Sequence, residues 1–347
     1  MKHLLRTSLS LVLALAAASQ VYAIERKAAL GGFDGFVERM GAGTREMGRG
    51  NTGSADTASM PGAYWNPGIL GFRQNTNYTL NADKRDLDRM GGNAGIETKV
   101  GNRMGVGFAM LYRGDLAFDV VNEDDETVGT ATPYFTMMYL GFAYRATRQD
   151  AIGLSLSMSY DNLDISEHIE GYEVVDDYRS PVTINLGWLR QWNNKWSTSV
   201  VIRNLSFSEN LSAKWDRNTS TDNSLPSTEG VRPKVLQIGL GYRSHIMGKP
   251  VYAWMEAIDY QVADTLLAFD PQLHVWTGRV GFECDIIEGG TVRVGMDDLD
   301  FTFGLGYKFN VRIGKKKYLF DANYALLYES EAGLWNPLSF GLRGFIP

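Results

Sequence analysis

The chain has 347 residues, a formal net charge of −6 and a mean hydropathy of −0.21. Its 40 acidic residues outnumber its 34 basic ones, which argues against a nucleic-acid partner because phosphate backbones are bound by clustered lysine and arginine. Cys284 is the only cysteine, so an intramolecular disulfide is excluded. Packing and hydrogen bonds must therefore stabilise the fold.

Residues 1–23 have the features of a cleaved signal peptide. Lys2 and Arg6 form a positive region, residues 9–18 are apolar but too short to span a bilayer, and Val21-Tyr22-Ala23 ends in a cleavage site. Removal of this segment would change the net charge to −8. Beyond it, no run approaches the roughly 18 apolar residues of a transmembrane helix. The sequence therefore predicts export to a compartment beyond the inner membrane.

Residues 24–73 show no strand periodicity. They contain a glycine-rich stretch at 41–50, small and polar residues at 52–63, and then Tyr64-Trp65-Asn66-Pro67-Gly68. Several large apolar side chains in this segment need burial: Phe33, Phe36, Met40, Met47, Tyr64 and Trp65. We predict that it plugs the lumen of the barrel that the later residues indicate; the alternative is a disordered tail.

Gly48 to Gly53 match the pattern G-x-G-x-x-G. A dinucleotide site needs a strand before this loop and a helix after it, and the sequence indicates neither. Close packing of the segment is the better interpretation of these glycines.

From about residue 74 to the end, apolar and small or polar residues alternate. Residues 152–160 are the clearest case, with Ile, Leu, Leu, Met and Tyr on one face and Gly and Ser on the other. Most segments fit the roughly 9–11 residues of a tilted membrane strand. Fourteen strands are predicted, near 74–82, 93–100, 103–113, 134–146, 151–160, 182–192, 196–204, 233–244, 251–260, 272–284, 291–298, 300–310, 318–328 and 337–346.

The connections and the aromatic residues support the same architecture. Short turns follow even-numbered strands, whereas the three longest connections, 114–133, 161–181 and 205–232, follow odd-numbered ones. Trp192 and Trp196 bracket one short turn, where a membrane-interface girdle is expected. We predict an all-β, antiparallel transmembrane barrel over residues 74–347, in contact with outer-membrane lipid and lipopolysaccharide. A soluble β protein with ordinary core aromatics is the alternative.

The last strand is less regular. Leu338, Phe340, Leu342 and Ile346 share one face, while Phe345 has the opposite parity. Residues 335–337, Trp-Asn-Pro, are predicted to lead into this strand through a turn.

The glycine-rich stretch and the Y-W-N-P-G sequence resemble the N-terminal signature of PorV/PorQ-type outer-membrane proteins, within the wider FadL-like transporter superfamily. The matching positions are Gly41, Gly43, Arg45, Met47, Gly48, Gly50, Ala55, Asp56, Ala58, Tyr64, Trp65, Asn66, Pro67 and Leu70. The family usually shows N-P-A-G-L where this chain has Asn66 to Leu70. The resemblance implies a fourteen-stranded barrel with its N-terminal segment in the lumen. The predicted structural or ligand-facing motif is Gly43, Arg45, Met47, Gly48, Trp65, Asn66 and Pro67.

Catalytic and metal-binding motifs are not evident. His168, His245 and His274 lie apart in the sequence, and neither a nucleophile elbow nor a zinc-protease motif occurs. We predict no enzyme activity, no cofactor and no metal site. The acidic loop 115–126 is interpreted as solvated, with binding of Ca²⁺ or of cation-bridged lipopolysaccharide as the alternative. Lys315 to Lys317 are interpreted as a solvated charge run in a periplasmic turn.

Two functions from different classes follow. The closer resemblance implies a barrel that binds secreted cargo proteins or secretion-machinery subunits, as in type IX secretion, through its long loops. The wider superfamily implies a transporter of hydrophobic small molecules, with an apolar pocket near Met47 and Trp65. The motif favours the first of these functions, and the transporter is the alternative. A structural barrel with no transport role is a third option.

Overall fold

The computed structural model of the protein describes residues 40–84, 89–114, 118–121, 127–165, 176–179, 182–205, 213–214, 216–218, 231–262, 273–313, 316–329 and 334–346. The described chain begins with two one-turn helices, α1 (Thr44–Met47) and α2 (Gly62–Trp65), and a 3₁₀ helix (Pro67–Phe72). Strands follow from residue 76 onward. No helix in these ranges has the length and apolarity needed to cross a membrane.

Fourteen antiparallel strands close into a barrel. Strand β1 pairs with β2 along one edge and with the last strand, β19, along the other, from Thr76 opposite Ile346 to Lys84 opposite Leu338. The ring consists of β1 (Thr76–Lys84), β2 (Met90–Val100), β3 (Met104–Gly114), β5 (Thr127–Tyr144), β6 (Asp150–Ile165), β8 (Thr183–Gln191), β9 (Trp196–Leu205), β13 (Lys234–Ile246), β14 (Lys249–Val262), β15 (Leu273–Ile287), β16 (Gly290–Asp297), β17 (Asp300–Ile313), β18 (Lys316–Glu329) and β19 (Leu334–Ile346). Each of the fourteen predicted segments overlaps one of them, so the predicted fold class is confirmed.

Five further strands are too short to span a membrane. They are β4 (Phe118–Val121), β7 (Asp176–Arg179), β10 (Ala213–Lys214), β11 (Asp216–Asn218) and β12 (Val231–Arg232). All five lie in the three long connections. The sequence did not predict them, because two to four residues show no measurable period.

Six short turns lie at one end of the barrel, which we call the turn end. They join β2 to β3, β5 to β6, β8 to β9, β13 to β14, β15 to β16, and β17 to β18. The longer connections lie at the opposite end, the loop end, where Asp298-Leu299 is the one tight exception among the described connections. This sorting is the pattern of outer-membrane barrels.

Alternation along each strand places apolar side chains outside and small or polar ones inside. Large outward side chains are well exposed, among them Leu80, Phe108, Leu140, Leu305 and Phe340. Tyr112, Tyr134 and Tyr160 stack in a row near the loop end, and Trp192 and Trp196 are exposed at the turn end. A closed barrel with an apolar belt between aromatic rows satisfies its backbone hydrogen bonds while facing lipid.

Two details of the predicted strands were wrong. Strands β5 and β6 extend well past the predicted limits toward the loop end, because β4 and β7 pair with their extensions. Residues 335–337 lie inside β19 rather than in a turn. Pro337 lacks an N–H, and the register with β18 shifts opposite it, between Ala325 and Leu327.

Candidate functional site

Residues 40–73, here called the lumen segment, lie inside the barrel. Apart from Asp56 to Ala58, nearly every residue from 41 to 71 is buried. The segment contacts the inner faces of strands on all sides of the ring, with α1 against β17 to β19 and the 3₁₀ helix against β3, β5, β6 and β8. The barrel therefore holds this segment by contacts all around its circumference.

Two glycines of the predicted motif are required by this packing. Gly43 precedes α1 with φ of +89°, where a side chain would meet Glu46 and the carbonyl of Met60. A Cβ on Gly48 would stand 2.8 Å from the Cα of Gly304 in β17. At these points the backbone of the segment approaches its surroundings too closely for any side chain.

The guanidinium of Arg45 joins the lumen segment to the barrel wall. Its Nε and Nη2 donate to the two carboxylate oxygens of Glu283 at 2.8 and 3.0 Å. Its Nη1 donates to Asp56 Oδ2 at 2.8 Å, and Arg49 Nη1 donates to the same oxygen at 2.8 Å. Arg293 Nε binds Glu283 at 2.7 Å. Glu46 Oε1 lies 3.5 to 3.7 Å from nitrogens of Arg45, Arg49 and Arg343. Four arginines and three carboxylates thus form one buried ionic network.

Opposite charges keep this network ionised despite its burial. Burial disfavours the charged form of Asp56, but attraction by Arg45 and then Arg49 outweighs it and holds the pKa of this carboxyl below its ordinary value. Burial alone would lower the pKa of Arg45, whereas Glu283 and Asp56 raise it above its usual range. The guanidinium of Arg49 also lies 3.8 Å from the centre of the Trp254 ring.

Two further carboxylates bind the backbone of the lumen segment. Glu256 of β14 accepts hydrogen bonds from the N–H groups of Gly53 and Ser54 at 2.8 and 2.7 Å. Glu97 of β2 accepts from Gly62 N–H and from Arg73 Nε. These acids satisfy backbone donors that would otherwise be buried without partners.

Asn66 and Pro67 fix the turn that leads into the 3₁₀ helix. The side chain of Asn66 accepts from Gly68 N–H at 2.9 Å and donates to the carbonyls of Ser54 and Trp188 at 3.0 and 3.1 Å. Pro67 occupies the first helical position, where no N–H is needed. Both residues therefore have structural roles.

The opposite side of the lumen is apolar. Trp65 is fully buried, packs edge-on against Tyr64 at 4.9 Å and donates its ring N–H to Ala42 O at 2.9 Å. Tyr64 packs edge-on against Tyr139 of β5 at 5.6 Å. The inward residues of β3 and β5 that complete this apolar side are Ala109, Leu111, Phe135, Met137, Tyr139 and Ala143, with Ile69, Leu70 and Leu189 toward the turn end.

The predicted motif residues are thus brought together within the buried lumen segment. Met47 and Trp65 are both buried and do not line the cavity described below. The apolar pocket near them stays a prediction. Gly48 to Gly53 form a turn packed on the wall rather than a loop between a strand and a helix. The inward charges on the strands were missed, although a carboxylate or arginine at the lumen parity of a barrel strand is the signal that marks them.

The cavity lies at the turn end, between residues 55–58 and the wall, and measures about 460 Å³. Its charged lining residues are Arg45, Asp56, Lys195, Arg243, Glu283, Lys308, Asp321 and Arg343. Tyr252, Trp254, Leu319 and Phe345 supply its apolar surface. Phe345 thus has the opposite parity to Phe340 because it points into the lumen.

The two histidines that the structure describes are not brought together. His274 lies near the loop end, where its Nδ1 is 2.9 Å from Asp259 Oδ2. His245 lies at the opposite end of the barrel, the turn end. No cluster that could hold a metal occurs in the part of the chain that the structure describes. The side chains of the acidic loop 115–126, His168 and Lys315 to Lys317 lie outside the described residues, as does the predicted signal peptide.

Comparison with known proteins identifies the fold. No family model and no curated protein matches the chain. Among solved structures, the Pseudomonas putida toluene transporter TodX superposes with a TM-score of 0.57 at 12% identity, covering 88% of this chain and 98% of its own. The monoaromatic hydrocarbon channel CymD gives 0.56 at 13% identity, covering 90% and 98%. A Pseudomonas aeruginosa FadL homologue gives 0.52 at 9% identity, covering 88% and 98%.

The chain has the fold of the FadL-like barrels. At these identities the likeness establishes architecture and not activity. The wider of the two resemblances is thereby supported at the level of the fold, while the PorV/PorQ type remains a prediction.

Proposed function

We propose that the protein carries an apolar small molecule across the outer membrane, the second of the two predicted functions. The observation that carries the proposal is the apolar side of the lumen. Between Arg113 and the turn end, the inward residues of β3 and β5 are Gly, Ala, Leu, Phe, Met and Tyr, without a charged side chain. A water-filled porin would line this wall with polar groups.

The apolar side extends along most of the barrel height. Phe135 and Leu111 lie toward the loop end, Tyr139 lies midway, and Leu70 and Leu189 lie near the turn end. The ionic network is on the other side of the lumen, where it fixes the lumen segment to β14 to β19. An apolar solute would therefore follow β3 and β5, where leaving water is favourable.

Similar proteins support this choice. The proteins named above are a toluene transporter and a monoaromatic hydrocarbon channel, and their fold is shared by this chain. The cargo-binding function depends on long loops whose side chains lie outside the described residues, and none of the described contacts favours it. It remains a prediction, together with the cleaved signal at 1–23, the plug boundaries at 24–73 and the orientation that places the turn end in the periplasm.

Uptake by the purified, refolded protein in liposomes tests the proposal. We expect toluene to equilibrate faster into these liposomes than into protein-free ones, and Leu111→Asn to slow protein-mediated uptake by about tenfold because it places an amide on the apolar side. Leu111→Met, which keeps the approximate volume and the apolar character, should behave like the unmodified protein. Equal uptake with and without protein would exclude the function. Co-purification of a secreted protein, with no uptake, would favour the cargo-binding alternative.

A further inference from the structure

The turn end of the barrel is basic although the whole chain is acidic. Among the described residues at its turns and adjoining strand ends, basic side chains outnumber acidic ones. The acids include Asp150, Asp285 and Glu288, with Glu283 and Asp321 at the depth of Arg243 and Lys308. The chain as a whole has a formal charge of −6. The bases include Lys99, Arg103, Arg145, Arg148, Arg190, Lys195, Arg243, Lys249, Lys308 and Arg312.

Some of these charges point into the cavity at the turn end. Lys195 lines it from the turn before β9, Arg243 from β13 and Lys308 from β17, and Arg343 lines it from β19. Arg243 lies over the ring of Tyr252 at 5.3 Å. Within the described residues, no carboxylate lies within 4 Å of Lys195, Arg243 or Lys308. These three cations are available to a ligand.

The buried wall of the cavity also holds polar atoms without partners. Asp321 is 3% exposed, and its Oδ1 accepts no hydrogen bond from the described residues. Arg343 is equally buried, and its Nε donates none, although its other nitrogens contact Ala58 O and Glu46. Buried polar atoms are rarely left unpaired in native proteins, so these two atoms are polar groups of the cavity wall that still lack a partner.

We infer that this cavity is a docking site for an acidic peptide segment of a partner protein at the turn end. Peptide carboxylates would pair with Lys195, Arg243 and Lys308, and a peptide N–H would donate to Asp321. Apolar atoms of the segment would lie on Tyr252 and Leu319. The inference is independent of what crosses the barrel.

The extent of the basic surface favours a peptide over a small acid. Arg103, Arg148, Lys249 and Arg312 are exposed around the mouth and lie outside the cavity lining. A single small carboxylate would use only the groups inside. A chain that continues out of the cavity could also contact this ring, and such a charge pattern speeds encounter with an acidic partner.

Peptide binding to the full-length protein in detergent tests the inference. The probe is a fluorescein-labelled peptide of alternating Glu and Ala, and its neutral counterpart has Gln in place of Glu. Fluorescence anisotropy should show salt-sensitive binding of the acidic peptide only. The double variant Lys195→Gln/Lys308→Gln should weaken it by about tenfold or more. Lys195→Arg/Lys308→Arg should bind normally, which shows that charge and not fold is lost.

The matched control removes two lysines elsewhere. Lys84→Gln/Lys234→Gln changes the net charge equally but at the loop end, and should leave binding unchanged.

Three results would overturn the inference. One is equal binding of the acidic and neutral peptides. Another is equal loss of binding in the two double glutamine variants. The third is binding of octanoate, or of vesicles containing phosphatidylglycerol, while the acidic peptide fails to bind. The last result would assign the basic surface to a small acid or to lipid headgroups.

Discussion

At the scale of single residues, one oxygen atom connects two arginines of the lumen segment. Asp56 Oδ2 accepts one hydrogen bond from Arg45 and another from Arg49, each 2.8 Å long. Arg45 also donates to Glu283 in the barrel wall. Removing one partner from a buried ionic cluster leaves charges that are neither solvated nor paired. The network is therefore a vulnerable point of the fold.

We expect Asp56→Asn to destabilise the docked lumen segment by about 3 kcal/mol, because it removes the carboxylate that Arg45 and Arg49 share and leaves Arg49 with only the more distant Glu46, at 3.7 Å. Urea unfolding of the protein in lipid vesicles, followed by tryptophan fluorescence, measures this loss. Asp150→Asn is the control. Its pair with Arg190 is partly exposed at 3.4 Å, so it should cost less than about 1 kcal/mol.

The difference between unmodified protein and Asp56→Asn should also depend on pH. The folded pKa of Asp56 lies below its ordinary value, so the carboxylate stabilises the fold fully above the unfolded pKa of about 4. The difference should be constant from pH 8 to pH 5 and shrink as pH falls below about 4, toward the lowered folded pKa. A difference that disappears near neutral pH would show that Asp56 is not held ionised in the network.

Of the two ion-pair partners Arg45 and Glu283, only Arg45 could be predicted from the sequence. Arg45 was singled out from the glycine-rich motif, but its partner Glu283 is 238 residues away. That pairing depends on barrel closure and on the register of β14 to β16, and a single sequence does not determine the register between distant strands. The position of Glu283 on the inward-facing side of its strand predicts that it lies in the lumen, but does not predict which residue it pairs with.

At the scale of structural elements, the lumen segment and the strands meet backbone to backbone at glycines. A Cβ on Gly295 of β16 would stand 2.2 Å from the carbonyl carbon of Arg49, and one on Gly281 of β15 would stand 2.3 Å from the oxygen of the same residue. Such distances are below any van der Waals contact. The glycines therefore allow the segment to fit against the wall.

Gly295→Val should displace the lumen segment. We expect faster trypsin cleavage at Arg45 or Arg49 in the folded barrel, together with increased ion conductance in planar bilayers. Gly278→Val is the matched control, since a Cβ there would meet only Glu256 O, at 4.0 Å. If both variants resist trypsin like the unmodified protein, residues 48–50 are not held by close contact with β16.

The sequence predicted the number of barrel strands better than the residues at which they begin and end. Alternation located all fourteen barrel strands, because each buries one face and exposes the other to lipid. The extensions of β5 and β6 were missed since they depend on pairing with β4 and β7, which are too short to be recognised. The position of the turn-end cavity could not be predicted, as it arises where the lumen segment leaves part of the wall uncovered.

At the scale of the whole molecule, the barrel is asymmetric in two directions. Across the lumen, an apolar side on β3 and β5 faces an ionic side on β14 to β19. Along the axis, a basic turn end opposes the end that carries the long connections. A solute route on one side and a docking surface at one end can therefore coexist without sharing residues.

The membrane-spanning arrangement can be tested with the tryptophans, of which the chain has eight. Trp276 and Trp196 are 47% and 42% exposed on the outer face, toward the loop end and the turn end respectively, whereas Trp65 and Trp254 are buried inside. In chains that retain a single tryptophan, lipids with brominated acyl chains should quench Trp276 and Trp196 strongly and the other two weakly.

The prediction depends on the difference between outward-facing and lumen-facing tryptophans, because bromine quenches only at close range and the barrel wall separates the lumen from lipid. A detergent without bromine supplies the reference intensity for each chain. Equal quenching of all four positions would mean that the lumen admits lipid. If none were quenched while the protein stayed soluble without detergent, the outward apolar belt would have to be covered by another protein surface instead of a bilayer.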